Sequence, residues 1–358
     1  MTLALSLSVA NLVKKLFSFS LWMIASAHLL LMASLLLILL GLLPAKAQEC
    51  GGENLLEKLH RDEPDRYAAV IAEGRKVPNG TGLFWKIEKD GLAPSYLLGT
   101  MHVTDPRVLK MPAGAAEAHA RARMIIIESE EILDDKKAMA AVLSKPELTM
   151  FTDSRTIESL LTAENRAILE SGLKERGLSL SAVTRMKPWM LAGFVALPAC
   201  ELERKAQNVA FLDKKIALDA IAAGKTVKGL ETLEEQLAAM AELPMDFHLQ
   251  VLVETVKLGD QMADVMETMT ELYLKGETGL TIPALKAVTP ASDGQDESAY
   301  VAFESTIISK RNHRMAERAT SSLAQGGVFM AVGALHLPGN DGLVQLFRDQ
   351  GFHVTVVD

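Results

Sequence analysis

Four short apolar runs decide most of what this chain can fold into: SYLLGT at 95–100, MIIIE at 124–128, KTVKGLE at 225–231 and VFMAVG at 328–333. Each is long enough for a buried strand and too short for a helix. The stretches between them read differently. Residues 132–223 carry helical patterning, broken at Pro146, Gly172, Gly177, Pro188 and Pro198. Residues 232–276 look helical again, and a long helix should run from Ala299 to about Gln325, where Gly326-Gly327 stops it. Strands alternating with helices predict an α/β fold: a split, mostly parallel sheet flanked by helices, with a large helical insertion over about residues 132–222. Around this frame the sequence predicts a helix over 54–71, a strand–turn–strand over TGLFWKIEKDGLAPSYLLGT and a surface loop at 289–298. A helix over 342–350 and an edge strand at HVTVV close the chain.

The four runs end alike. Leu98 is followed by Gly99 and then His102, Ile127 by Glu128, Leu230 by Glu231, and Val332 by Gly333 and then His336. Each polar group falls just beyond a strand's carboxyl end, the edge at which parallel sheets form their ligand crevice. Two imidazoles and one or two carboxylates at one edge suit a divalent metal or an acid/base pair. Glycine without Cβ lets the chain turn sharply there and approach a ligand closely. Plainer readings compete. A lone His after a strand is usually a capping or core-satisfying group, Glu128 could cap the next helix, and Glu231 opens ETLEEQ, which also reads as a helix start. The Met-rich MADVMETMTELY reads as core, and the Arg311-Asn312-His313-Arg314 cluster as a solvated helix face. No P-loop, Gly-x-Ser-x-Gly elbow or His-Glu-x-x-His helix is present.

The first 47 residues do not read as part of the fold. Lys14 and Lys15 precede an apolar run from Leu21 to Leu43, followed by Ala45-Lys46-Ala47. These are the parts of a signal peptide, with an uncleaved membrane anchor as the rival reading because the run could span a bilayer. Either way residues 48–358 form the exported domain, periplasmic or secreted, and only the N-terminal segment would touch a membrane. The net charge of −8, with no Lys/Arg-rich run, argues against nucleic acid and anionic lipid surfaces. Cys50 and Cys200 are the two cysteines, and an even count in an exported domain predicts a disulfide between them.

In this order, LFWKI…SYLLGTMHVTD, MIIIE, KPW, LD at 212–213, GKTVKGLETLEEQ, KRN and AVGALHLPGNDGLVQLFRDQGF resemble the TraB/GumN family. LPACELER at 197–204 and the early Cys-Gly-Gly look like its exported bacterial members. The resemblance covers roughly Cys50 to the C-terminus. It implies a fold similar to the erythromycin-esterase and ChaN-like proteins, and its animal TIKI-like relatives act as metal-dependent proteases on secreted signalling proteins. It further implies a catalytic edge of His102, Glu128 and His336 with Arg311 nearby. One departure is Tyr273, where a tryptophan would be expected.

The combined expectation is a metal-dependent hydrolase acting on a peptide or another small exported substrate. His102 and His336 would ligate a divalent ion, and Glu128 would be a third ligand or the base that deprotonates a water. Arg311 would face a developing negative charge. The rivals are a metal-free His/Glu hydrolase or transferase of the erythromycin-esterase type, and a non-catalytic exported binding protein.

Overall fold

The computed structural model describes residues 50–289 and 297–357. The expected leader, and residues 290–296 of the expected surface loop, lie outside the described residues. Among the described residues no helix is long and apolar enough to cross a membrane.

The described strands are β1 (Phe84–Glu88), β2 (Ser95–Thr100), β3 (Met124–Ile127), β4 (Thr226–Gly229), β5 (Val328–Gly333) and β6 (His353–Val356). They form one sheet in the order β4-β3-β5-β2-β1-β6. The pairs β3–β4, β3–β5 and β2–β5 are parallel, and β1 runs antiparallel to both β2 and β6. The chain is therefore α/β with a mostly parallel sheet, as its short apolar runs predict. The late strand β5 lies between β2 and β3, so segments more than 200 residues apart become neighbours.

Both faces are covered, which explains the unbroken apolarity of β3 and β5. Ile126, Met330 and Val332 pack with the helices Lys310–Leu323 and Leu343–Asp349. Ile125, Ile127 and Phe329 face the helices Ala115–Arg121 and Leu212–Ala222 on the other side. Ile125, Ile126 and Ile127 have no exposed surface, and each contributes on the order of 2 kcal/mol through burial.

Between β3 and β4 the chain is helical, but the insertion divides. Phe151, Leu169, Leu191 and Val195 form a separate core with Leu252 and Val256 from the later helix Met245–Leu258. The last helix of the stretch, Leu212–Ala222, instead turns Ile216, Ala217 and Ala220 onto the sheet. Two other elements differ in detail from expectation. The helix expected over 54–71 is two, Leu55–Asp62 and Pro64–Gly74, because Pro64 lacks the N–H to continue the first and suits the opening of the second. The long helix before β5 contains a π-helical stretch, Glu304–Ser309, between Glu297–Phe303 and Lys310–Leu323. The Met-rich segment is the helix Gln261–Leu274, with Met262 buried in the core. Cys50 and Cys200 are disulfide-bonded.

Candidate functional site

Register brings the two Gly-x-x-His turns together. Thr100, at the end of β2, lies opposite Gly333, at the end of β5, so both turns leave adjacent parallel strands at one edge. The glycines have steric reasons. A Cβ on Gly99 would come within 2.9 Å of Leu337 Cδ2 and 3.2 Å of Ala334 Cα, atoms of the opposite turn. A Cβ on Gly333 would sit 3.2 Å from Glu128 Oε1. The buried Tyr273, which stands where a tryptophan was expected, donates its hydroxyl to the Gly99 carbonyl at 3.1 Å.

Glu128 directly follows β3 and is buried beside Gly333. Its Oε1 accepts the Gly333 N–H at 2.7 Å, and Oε2 accepts Arg311 Nη2 at 2.8 Å and Gln236 Nε2 at 3.0 Å. Burial opposes its ionisation, but His336, His102, Arg311 and the Gly333 amide outweigh that and hold its pKa down at about 2. Arg311 also donates through Nε to Glu231 Oε2 at 2.9 Å, and Arg314 reaches the other oxygen of Glu231 at 3.4 Å. Glu231 is thus buried at the same edge, one step behind Glu128.

His336 has a defined tautomer. Asn312 donates Nδ2 to the Asp341 carbonyl at 2.8 Å, which turns its Oδ1 to accept from His336 Nδ1 at 2.6 Å. With the proton on Nδ1, the Nε2 lone pair is free, 3.7 Å from Glu128 Oε1. Burial depresses the pKa of this ring to about 4, against the pull of Glu128, so it is neutral at pH 7.

His102 stands at the mouth, its side chain 53% exposed. Its Nε2 lies 3.5 Å from Asp213 Oδ2, ion-pair range but longer than a hydrogen bond. Desolvation works against protonation, yet the charges of Asp213 and Glu128 raise the pKa to about 9. Asp213 is buried in the first turn of the helix Leu212–Ala222, where the helix dipole favours an anion. Thr100 donates its hydroxyl to Asp213 Oδ1 at 2.7 Å, whereas Oδ2 has no hydrogen-bond partner among the described residues.

The edge therefore gathers His102, Glu128, His336, Arg311 and Glu231, all candidates from the sequence, and adds Asn312, Asp213 and Gln236, which were not read as site residues. The Arg311–Arg314 cluster is corrected: Arg311 and Asn312 are buried, His313 faces outward, and the half-buried Arg314 turns in to Glu231. Helical periodicity carried that signal, since Asn312 falls on the stripe of Ala316, Ala319 and Leu323. Asp213 likewise shares the stripe of Ile216, Ala217 and Ala220.

Among the described residues no three His, Cys, Asp or Glu side chains come together tightly enough to enclose a metal ion. The donor chemistry nonetheless fits a divalent cation. His336 offers a free Nε2, and Asp213 an orphaned buried oxygen. Glu128, Glu231 and Asp213 set three buried carboxylates against the guanidinium groups of Arg311 and Arg314 and the protonated His102 ring, so loss of the His102 proton leaves one negative charge in excess.

The sequence profile of the TraB/PrgY/gumN family matches residues 83–356, which hold all six strands and every residue of this edge. The chain belongs to that family. It is 26% identical over 314 residues to Metalloprotease TIKI1 of Danio rerio, covering 75% of this chain and 62% of that protein. It is 23% identical over 322 residues to Metalloprotease TIKI1 of Homo sapiens, covering 75% and 61% respectively. Against the Metalloprotease TIKI homolog of Nematostella vectensis the figures are 22% over 331 residues, 78% and 68%. The alignments with the first two relatives thus span about three-fifths of those proteins. No solved structure matches the chain.

Proposed function

We propose that this TraB/PrgY/gumN-family chain is an exported metal-dependent hydrolase that cleaves a peptide bond. One observation carries the reading: Asn312 fixes His336 with Nε2 free, beside an anionic, buried Glu128, at the carboxyl edge of a parallel sheet. His336, Glu128 and His102 would hold the ion, with Asp213 next to His102. A divalent ion bound there would supply Lewis acidity, polarising a scissile carbonyl and lowering the pKa of water toward about 7.

The chain's own groups prepare that site. Asn312 sets the His336 tautomer. Arg311, Gln236 and the Gly333 amide fix both oxygens of Glu128, which makes it an anchored anion rather than a proton acceptor. Arg311 spends Nε and Nη2 on the two glutamates and so orients Glu128. His102, more exposed than the rest, completes the donor set when its proton is lost. The bond class rests on relatives named metalloproteases. Export is supported by the Cys50–Cys200 bridge, which suits an oxidising compartment, and by the leader pattern at 1–47.

A second reading is favoured by the His102–Asp213 pairing: a metal-free hydrolase in which His102 moves the proton. Metal analysis of purified protein separates the two. The first expects one divalent ion per chain, lost in both His102→Ala and His336→Ala while each variant stays folded. It also expects peptidase activity abolished by chelation. Metal content unchanged in both single variants would sink it, and activity that survives exhaustive chelation selects the second.

A further inference from the structure

The LPACELER segment takes no part in the site just proposed, yet it buries two charges. Glu201 is 1% exposed and Arg204 5%, both on the helix Ala199–Ala206 that also carries Cys200. Their partner is Thr104, fully buried and two residues beyond His102. The Thr104 N–H donates to both oxygens of Glu201 at 2.9 and 3.0 Å, and its hydroxyl donates to Glu201 Oε2 at 2.8 Å. Arg204 donates through Nε to Thr104 Oγ1 at 3.0 Å and through Nη2 to Glu201 Oε2 at 3.2 Å. One residue further on, Lys205 Nζ reaches the His102 carbonyl at 3.5 Å. Arg204 Nη2 also lies 2.9 Å from Cys50 Sγ, so the far end of the disulfide closes over the same guanidinium.

The placement matters because the His102 turn is held by side chains rather than by a strand ladder: Val103 and Val108 pack with Leu83 and Tyr273, Arg107 ties Asp105 to Glu267, and Thr104 is gripped by this network. Residues 101–114 belong to no strand or helix. A buried ion pair adds little net stability compared with apolar packing, because desolvation offsets most of its attraction. When its hydrogen bonds are satisfied, however, such a network admits one arrangement and resists others. Here that arrangement fixes the backbone two residues from the exposed imidazole.

We propose that Glu201 and Arg204 are positioning residues for His102, and that the Cys50–Cys200 bridge holds their helix in place to do this. The metal-affinity readout of the proposal rests on the function proposed above, whereas its exchange readout does not.

The test is amide hydrogen exchange and Zn²⁺ affinity, the latter by chelator competition, on the oxidised protein. The variants are Thr104→Val, Thr104→Ser, Glu201→Gln and the double Cys50→Ser/Cys200→Ser. In Thr104→Val and Glu201→Gln, amides of residues 101–106 should exchange at least about tenfold faster while β2 and β5 keep their protection; the double serine variant should show the same local acceleration alongside its global loss of stability. Zn²⁺ affinity should fall by about 10–100-fold in the same three variants, the usual consequence of losing support behind a ligand. Thr104→Ser, which keeps the hydroxyl, should restore both. If Glu201→Gln does not fold, the Thr104 pair decides. Exchange at 101–106 within about twofold of wild type in a folded Thr104→Val overturns the proposal. So does a loss of protection spread evenly over the sheet in Thr104→Val, since that is an ordinary stabilising network. A wild type that binds no Zn²⁺ sinks the metal reading alone, and exchange still decides the clamp.

Discussion

Asn312→Ala and Asn312→Asp together test whether the tautomer of His336 matters. In the wild type Asn312 is fully buried and bridges the His336 Nδ1–H to the Asp341 carbonyl. Alanine leaves the buried Nδ1–H without an acceptor, a cost of about 1–3 kcal/mol, and Tm should fall by several degrees. It also frees the ring to move its proton to Nε2, the nitrogen that would bind metal. Loss of such support weakens metal affinity by about 10–100-fold, equivalent to roughly 1.4–2.8 kcal/mol. Aspartate at 312 keeps the acceptor for Nδ1 and loses the donor to Asp341. It should therefore cost stability yet retain or raise the metal affinity. Zn²⁺ competition gives the affinities, and ¹⁵N shifts of the His336 ring report the tautomer. Equal losses of affinity in both variants, or none in either, would refute the reasoning.

Gly333→Ala adds a Cβ 3.2 Å from Glu128 Oε1, so the carboxylate must shift; activity should drop steeply, with a stability cost of about 1–3 kcal/mol seen in urea melts. Glu235, whose side chain is 30% exposed, is held down at about 2 by its hydrogen bonds from Arg318, against a usual 4.5. Its folded pKa is the depressed one, so its stabilisation is present above pH 4.5 and is lost as pH falls through 4.5 toward 2. Glu235→Gln should accordingly flatten the acid limb of the Tm–pH curve and leave its shape near pH 7 alone. The Cys50–Cys200 bridge closes a separation of 150 residues. Its removal should cost up to roughly 5 kcal/mol by the chain-entropy relation, and thiol titration of the unfolded, non-reduced protein should find no free cysteine.

The strands were legible because a sheet covered on both faces leaves unbroken apolar runs, and MIIIE and VFMAVG can be little else. Four site residues were legible for a related reason: His102, Glu128, Glu231 and His336 sit where such runs stop. Asn312 and Asp213 sit inside helices, where a polar residue on an apolar stripe is a weaker mark than one at a strand end. Their importance depends on which helix face meets the sheet edge, and that is decided by packing between distant segments. The same limit hid Thr104 and Glu201, whose partnership joins residues 97 positions apart. The helix boundary at Pro64 was visible in the sequence, but apolar periodicity on both sides of the proline masked it.

The order β4-β3-β5-β2 also has a consequence for how the protein comes into being. A chain made from its N-terminus produces β2, β3 and β4 first, and β2 and the β3–β4 pair must wait for the strand that joins them. Until residues 328–336 emerge there is no Gly333 amide for Glu128, no second imidazole, and two hydrogen-bonding strand edges stand open. A copy cut short before β5 is thus without its candidate chemistry and prone to stick to its neighbours. Closure waits on a contact spanning more than 200 residues, so folding should be slow for the chain's size. Competence at the sheet edge thus arrives in one step, with β5 and the turn that carries His336.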